Sequence, residues 1–299
     1  LFLVLRRQEL NLQSGDTWTS VWMSVVKLGL KKLTRNELHT RNWKPNVILF
    51  SGGAATRPHL VEMGLALTGH QGVFTNFELE EDPELVSGVS ERVRVEKLKD
   101  FPEIITRKYR FSSIYEGIDM ISRVYGFSGF EPDTILMGWP RKTAHPDQMN
   151  RLLKSLQKRN FNLALLDYDQ GSGFGTYSSI DFWWKGSGRE LTLALHFLRF
   201  ITARREWRKA RLRILVANED PLLTEKYKRV LTQMLDDYRL NAEVKVISTT
   251  EQKPVSSLLP EESGSTDLTL LALPSPNEPE GEQFIEQLDQ LSARLHSCL

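Results

Sequence analysis

The chain has 299 residues, of which 40% are hydrophobic and 26% charged, and its formal net charge is +1. This is the composition of a folded globular protein of one large or two ordinary domains, and a charge this close to zero supplies no global field to draw in nucleic acid. A single cysteine, Cys298, excludes an internal disulfide framework and a Cys-rich zinc site, and it fits a reducing compartment.

The opening "LFLVLRRQEL" sets five apolar residues before Arg6 and Arg7. Two readings stand: a ragged start, or the last turn of a membrane helix followed by its cytoplasmic arginines. A signal peptide does not fit, because the charges follow the apolar run. No stretch approaches the ~20 apolar residues of a full membrane span. Residues 15–35 place Trp18, Trp22, Val25, Val26, Leu30 and Leu33 at helical spacing. Pro45 then breaks the pattern.

From there strands and helices alternate. "NVILFSG" reads as a buried strand, and Pro58 starts a helix running to about Thr68. Residues 72–79 form a strand, and the charged stretch 80–103 reads as a helix with loops. "SSIYEGIDMISRVYGF" is a helix, "DTILMGWP" a strand, "PDQMNRLLKSLQKRN" a helix and "FNLALLDY" a strand. "DQGSGFG" reads as a flexible glycine connection before the strand "IDFWWKG" and the helix "RELTLALHFLRFITARREW". A second, shorter series follows: strand "RLRILVANE", helix "PLLTEKYKRVLTQMLDDYRL", strand "AEVKVIS", a loop over 251–265, strand "DLTLLALP" and a closing helix. On the first of these helices Leu223, Tyr227, Val230, Leu231 and Met234 share a side. Alternation of this kind predicts an α/β fold of two lobes, each a mostly parallel sheet flanked by helices. The expected division is a membrane-proximal segment over 1–44, a first lobe over 45–205 and a second over 206–299.

The chemistry is sparse. Ser51, Gly52, Gly53 and Arg57 stand between a strand and a helix, where anions bind backbone amides. They match neither G-x-G-x-x-G nor a P-loop, which lacks its lysine here, so turn glycines are the favoured reading. Thr56 is the expected cap of the following helix. The six histidines, His39, His59, His70, His145, His196 and His296, form no metal-binding spacing. Asp167 and Asp169 end a strand without a partner base, and no nucleophile elbow occurs. No catalytic residue, metal or cofactor is expected. The seven Arg and Lys over 199–213 read as a solvated helix end and linker between lobes.

Several stretches, in order, resemble the cytoplasmic C-terminal domain of the cation-chloride cotransporters. They are "GDTWTSVWMSVVKLGLKKL", "NWKPNVILFSGGAATRPHLVEM", "PDTILMGWP", "IDFWWKGSGRELTLALHFL", "WRKARLRILV" and "TDLTLLALPSPNEPEGEQFIEQLDQL". The resemblance runs from about residue 15 to about 297, and the short loop at 250–265 suggests a compact, prokaryotic-like member. It implies two lobes similar to universal stress proteins, a homodimer, a transmembrane domain upstream of Leu1 and a nearby membrane surface. It also implies a regulatory rather than enzymatic role in moving Na⁺ and/or K⁺ with Cl⁻, at the cytoplasmic face of the cell membrane, with no ion path in this chain. The competing expectation is a universal-stress-type nucleotide sensor. Against it, bulky Trp139 and Pro140 stand where a backbone would approach phosphate. A hydrolase or dehydrogenase lacks its motif.

Overall fold

The computed structural model describes residues 21–28, 43–69, 72–86, 90–93, 104–126, 131–139, 145–184, 190–218, 220–249, 255–272, 286 and 289–299. Residues 21–28 form a helix, α1, whose Val21, Trp22, Met23, Val25, Val26 and Leu28 are exposed. Trp18, Leu30 and Leu33 lie outside the described residues. Helix α1 belongs to one compact unit, and both sheets belong to another.

The first sheet contains β1 (Val47–Phe50), β2 (Phe74–Glu81), β3 (Glu91–Val93), β4 (Ile105–Phe111), β5 (Thr134–Gly138) and β6 (Asn162–Leu166). Their order is β3-β4-β2-β1-β5-β6, parallel throughout except for β3 against β4. Every residue of central β1 is buried. It therefore reads as an unbroken apolar run, as a strand covered on both faces must. Helices α2 (Pro58–Thr68), α3 (Ile114–Val124) and α4 (Pro146–Lys158) flank this sheet. Ile48, Phe77, Phe111, Ile118, Ile135 and Leu152 are among its core.

The second sheet contains β7 (Ser179–Trp184), β8 (Arg211–Asn218), β9 (Glu243–Ser248), β10 (Leu268–Leu271) and β11 (Ser297–Cys298), all parallel, in the order β11-β10-β7-β8-β9. Its helices are α5 (Glu190–Ala203), α6 (Thr224–Tyr238) and α7 (Val255–Ser263). With β3 set aside, the two sheets share one connectivity. The first strand is central, the next two extend to one side and the last two to the other. Among the described residues no helix is long and apolar enough to cross a membrane.

Several expectations need correction. The second sheet begins at Ser179, so β7 and α5 belong with the second series and the division between the sheets falls before 179, not at 205. The basic stretch 204–210 is consequently a turn within the second half, pinned by buried Trp207, and not a linker. Residues 105–111, unassigned from sequence, form β4. Its charged residues pair with neighbours, Lys108 and Arg110 with Glu80 and Arg110 with Glu91. The expected loop after 250 contains α7, which buries Leu258 and Leu259 against Trp183 and Leu215 despite Pro260 within it. Beneath α7, Arg213 donates to both oxygens of fully buried Asp181 at 2.7 and 2.5 Å, and the Ser263 and Thr266 hydroxyls donate to it at 2.6 and 2.7 Å.

The sheets meet at their edges. Asp167, just past β6, and Cys298 of β11 exchange two backbone hydrogen bonds, each 2.8 Å, in an antiparallel bridge. Helices α2 and α5, which each follow the first strand of a sheet, pack together. The His59 ring of α2 stacks on Tyr168 at 4.0 Å, and the Tyr177 hydroxyl donates to Glu62 at 2.9 Å. The "DQGSGFG" stretch is not a slack connection. Asp169 accepts from the Gly171 and Ser172 amides, and Asp267 accepts from the amides of Thr176, Ser178 and Ser179.

Gly175→Ala is expected to cost at least about 2 kcal/mol. Its φ is +54°, which strains an L side chain by roughly 1–3 kcal/mol, and a Cβ there would stand 1.9 Å from Asp267 Oδ1. Denaturant midpoints measure this, and an unchanged midpoint refutes it. A second expectation concerns Glu62. Burial raises its pKa, the Tyr177 bond opposes the rise, and Glu206 adds to it. The folded chain therefore holds this proton to higher pH than the unfolded chain, and stability falls as pH rises from 4.5 through the raised value. Glu62→Gln keeps an acceptor for Tyr177 and removes the titration. The variant should gain stability over the parent as pH rises from 4.5 to 7.5, read as diverging denaturant midpoints.

Candidate functional site

In a parallel sheet with this connectivity, strand direction of travel reverses between β1 and β5, and the carboxyl ends of those strands frame a crevice where α/β proteins bind ligands. The structure brings Ser51, Gly52, Gly53 and Arg57 together there. The turn is tight: Gly52 and Gly53 have φ of +62° and +125°, a region open to glycine. Buried Ser51 accepts from the Gly53 amide through its Oγ at 3.1 Å, and the Arg57 amide donates to Gly53 O at 3.1 Å.

Two side chains cover this turn. The carboxylate of Glu78, within β2 and one residue past the partner of Phe50, accepts from the Ala54 amide at 2.8 Å. An anion settling on the turn would seek such an amide, and here the chain's own carboxylate already has it. The Arg57 guanidinium folds back over the glycines and donates to Ser51 O at 3.4 Å. A Cβ at Gly52 would sit 3.3 Å from Arg57 Nη1, and one at Gly138, on the β5 side, 3.8 Å from it. Glu78 is the residue sequence reasoning missed. Nothing in the acidic run "ELEED" distinguishes it, and only the parallel register of β1 with β2 brings it to the turn.

The expected cap at Thr56 is corrected. Arg57 is the N-cap of α2 and makes no side-chain cap bond, while the Thr56 hydroxyl donates to Gly53 O at 2.9 Å. Proline at the first helical position compensates, since one amide fewer needs a partner. Trp139 is turned away into structure, its Nε1 donating to Asp289 at 2.5 Å. Pro140 lies outside the described residues.

The remaining candidates disperse. Asp169 is held below the usual carboxylate range by the Ser172 hydroxyl and the Gly171 amide, so it is a turn cap rather than a proton acceptor. Burial, and then the Arg57 charge, lower the pKa of His59 and keep its stacked ring neutral. His196 lies on α5 with its Nε2 3.4 Å from the Tyr238 hydroxyl. His39 and His70 lie outside the described residues. Among the described residues no three His, Cys, Asp or Glu side chains gather as a metal site. Among the described residues the arrangement is a small turn in which Glu78 holds the Ala54 amide and Arg57 stands exposed.

No protein-family model matches the chain. Its fold is similar to the solved cytoplasmic domain of a prokaryotic cation chloride cotransporter, with a TM-score of 0.61 at 13% identity, covering 86% of this chain and 94% of that one. It is also similar to a universal stress protein from Archaeoglobus fulgidus DSM 4304, with a TM-score of 0.50 at 11% identity, covering 85% and 94%. These likenesses show an α/β fold with mostly parallel, helix-flanked sheets, similar to that of the universal stress protein.

Proposed function

We propose that this chain is the cytosolic regulatory and dimerisation domain of an electroneutral cation-chloride cotransporter, carrying Na⁺ and/or K⁺ with Cl⁻ through membrane spans that precede Leu1. It acts without enzymatic chemistry at the cytoplasmic face of the cell membrane. The observation that supports this reading is the closer fit of the fold to the cotransporter domain, a TM-score of 0.61 against 0.50 for the universal stress protein at nearly the same coverage. The six ordered sequence segments support the same reading. The crevice at Ser51, Gly52, Gly53 and Arg57 is in this view a structural turn, because Glu78 already takes the Ala54 amide that a phosphate would meet.

Ion flux through the full-length parent in vesicles, with and without residues 15–299, tests the role. Removal should lower chloride-coupled flux without opening a pore, and unchanged flux at unchanged expression refutes it. Calorimetric titration of this chain with ATP and ADP, with and without Mg²⁺, tests the turn. No binding tighter than roughly 10 μM, equivalent to about 7 kcal/mol, is expected. Tighter binding that is lost in Gly53→Val would establish the nucleotide-sensor reading instead.

A further inference from the structure

Helix α6 is thinly buried. Of its 15 residues only Leu231 and Leu235 are buried, and Val230 is 40% exposed, against the apolar side expected from sequence. It lies beside β9, the outer strand of the second sheet, and no described strand pairs with the far side of β9. A groove of about 360 Å³ runs between them, lined in part by Lys228, Thr232 and Asp236 of the helix and by Asn241, Ala242 and Val244.

The exposed flank of α6 carries an ordered set of charges. Glu225, Lys228, Thr232 and Asp236 follow one another at spacings of three, four and four, which places them in one stripe along the helix, and Arg239, the left-handed cap that ends α6, follows three residues later. All five are exposed. Their signs read negative, positive, neutral, negative, positive. The set is symmetric about Thr232, since Lys228 and Asp236 are each four residues from it and Glu225 and Arg239 each seven. A second α6 laid antiparallel across Thr232 sets Lys228 of each copy against Asp236 of the other, and Glu225 against the end of the other helix, where Arg239 caps it. A parallel copy in register meets like charges at every position. Asp236 and Arg239 have no side-chain ion pair among the described residues, and Lys228 pairs only with Glu225 of its own helix at 3.1 Å. The Thr232 hydroxyl already donates to Lys228 O at 2.8 Å, so it brings no unsatisfied donor to the axis.

We propose that the α6 flank and the adjoining groove are the self-association surface of this chain, occupied by the α6 of a second copy running antiparallel about a twofold axis at Thr232. An isologous contact requires a self-complementary patch, and this stripe is one. Exposed ion pairs add little affinity by themselves. Their part is to fix register and orientation, while Leu235, Leu240, Ala242 and Val244 supply apolar contact within the groove. The proposal names the surface of the homodimer in the proposed function and is independent of what the parent protein transports.

Sedimentation of the whole chain across a dilution series at low salt tests it, with circular dichroism confirming that each variant folds. Asp236→Lys and Lys228→Asp should each weaken dimerisation about tenfold or more, by placing like charges at both symmetric contacts. The double variant carrying both substitutions should return to within about threefold of the parent, because opposite charges are restored. Thr232→Cys should form a disulfide-linked dimer with oxidised glutathione, since the native cysteine, Cys298, is buried. A dimer that ignores both reversals and leaves Thr232→Cys uncross-linked places the interface elsewhere and overturns the proposal. A parent chain that stays monomeric at every concentration overturns the homodimer itself.

Discussion

The paired backbone bonds between Asp167 and Cys298 are the constraint on which the arrangement of the two sheets depends. Each sheet alone would leave its fifth parallel strand with an open ladder. Here the end of one such strand closes against the other, and each partner satisfies groups that burial would otherwise leave costly. Equivalent strands therefore meet equivalent strands, and equivalent helices, α2 and α5, pack on each other. The chain between β6 and β7 must then turn within a few residues. That is why Asp169 and Asp267 are committed to backbone amides there, and why Trp207 packs edge to face on both Phe174 and Tyr177 beside them. For Asp267, burial works to raise the pKa, but the hydrogen bonds from Ser178, Thr176 and Ser179 outweigh it and hold the carboxyl ionised.

The same economy explains the crest of the first sheet. A strand that ends at a glycine turn and launches a helix exposes backbone amides and a positive helix end. These can be satisfied by a ligand or by the protein. In this chain Glu78 reaches the Ala54 amide and Arg57 lies across the glycine floor, so part of that need is met from within the protein. Gly52 and Gly53 are accounted for by their backbone conformation, and Gly138 by the proximity of Arg57.

Much of the fold was legible in the sequence because parallel strands covered on both faces must be apolar runs. "VILF", "TILM" and "LALL" all announce themselves in this way, and Pro58 marks the start of α2 where the structure has it. Strand β4 hid because it lies one strand from the sheet edge, where half-exposed charges replace the apolar run. Its partners, Glu80 and Glu91, are up to 30 residues away in the chain. Helix α7 hid behind Pro260, which argues for a loop locally. The packing of Leu258 and Leu259 outweighs that cost, and only the tertiary context shows it. The division between lobes was misplaced because the basic turn at 204–210 looked like a linker, whereas the true passage, 167–178, is short and closed by long-range bonds. At the crevice, the glycines and Arg57 could be found from their place between a strand and a helix, but Glu78 could not, since its role exists only through strand register.

Edges also decide where the molecule is left open. Joining the sheets through β6 and β11 uses one edge of each, and two outer edges remain. On the first sheet the outer edge is blunted: β3 runs antiparallel to β4, is short and carries Glu91 and Arg92, devices that discourage further pairing. On the second sheet β9 is six residues long, pairs in parallel with β8 and contains no proline or bulge, and its covering helix buries only two side chains. Lys245 tied to Glu262 and Glu243 tied to Arg211 guard it against indiscriminate strand addition. What they leave accessible is the flank of α6, where charge is not scattered but alternates symmetrically about Thr232. A surface that merely needed solvation would require charge of either sign in any order. An order that matches itself only when reversed is what the proposed antiparallel contact requires, since it admits one orientation of a second copy.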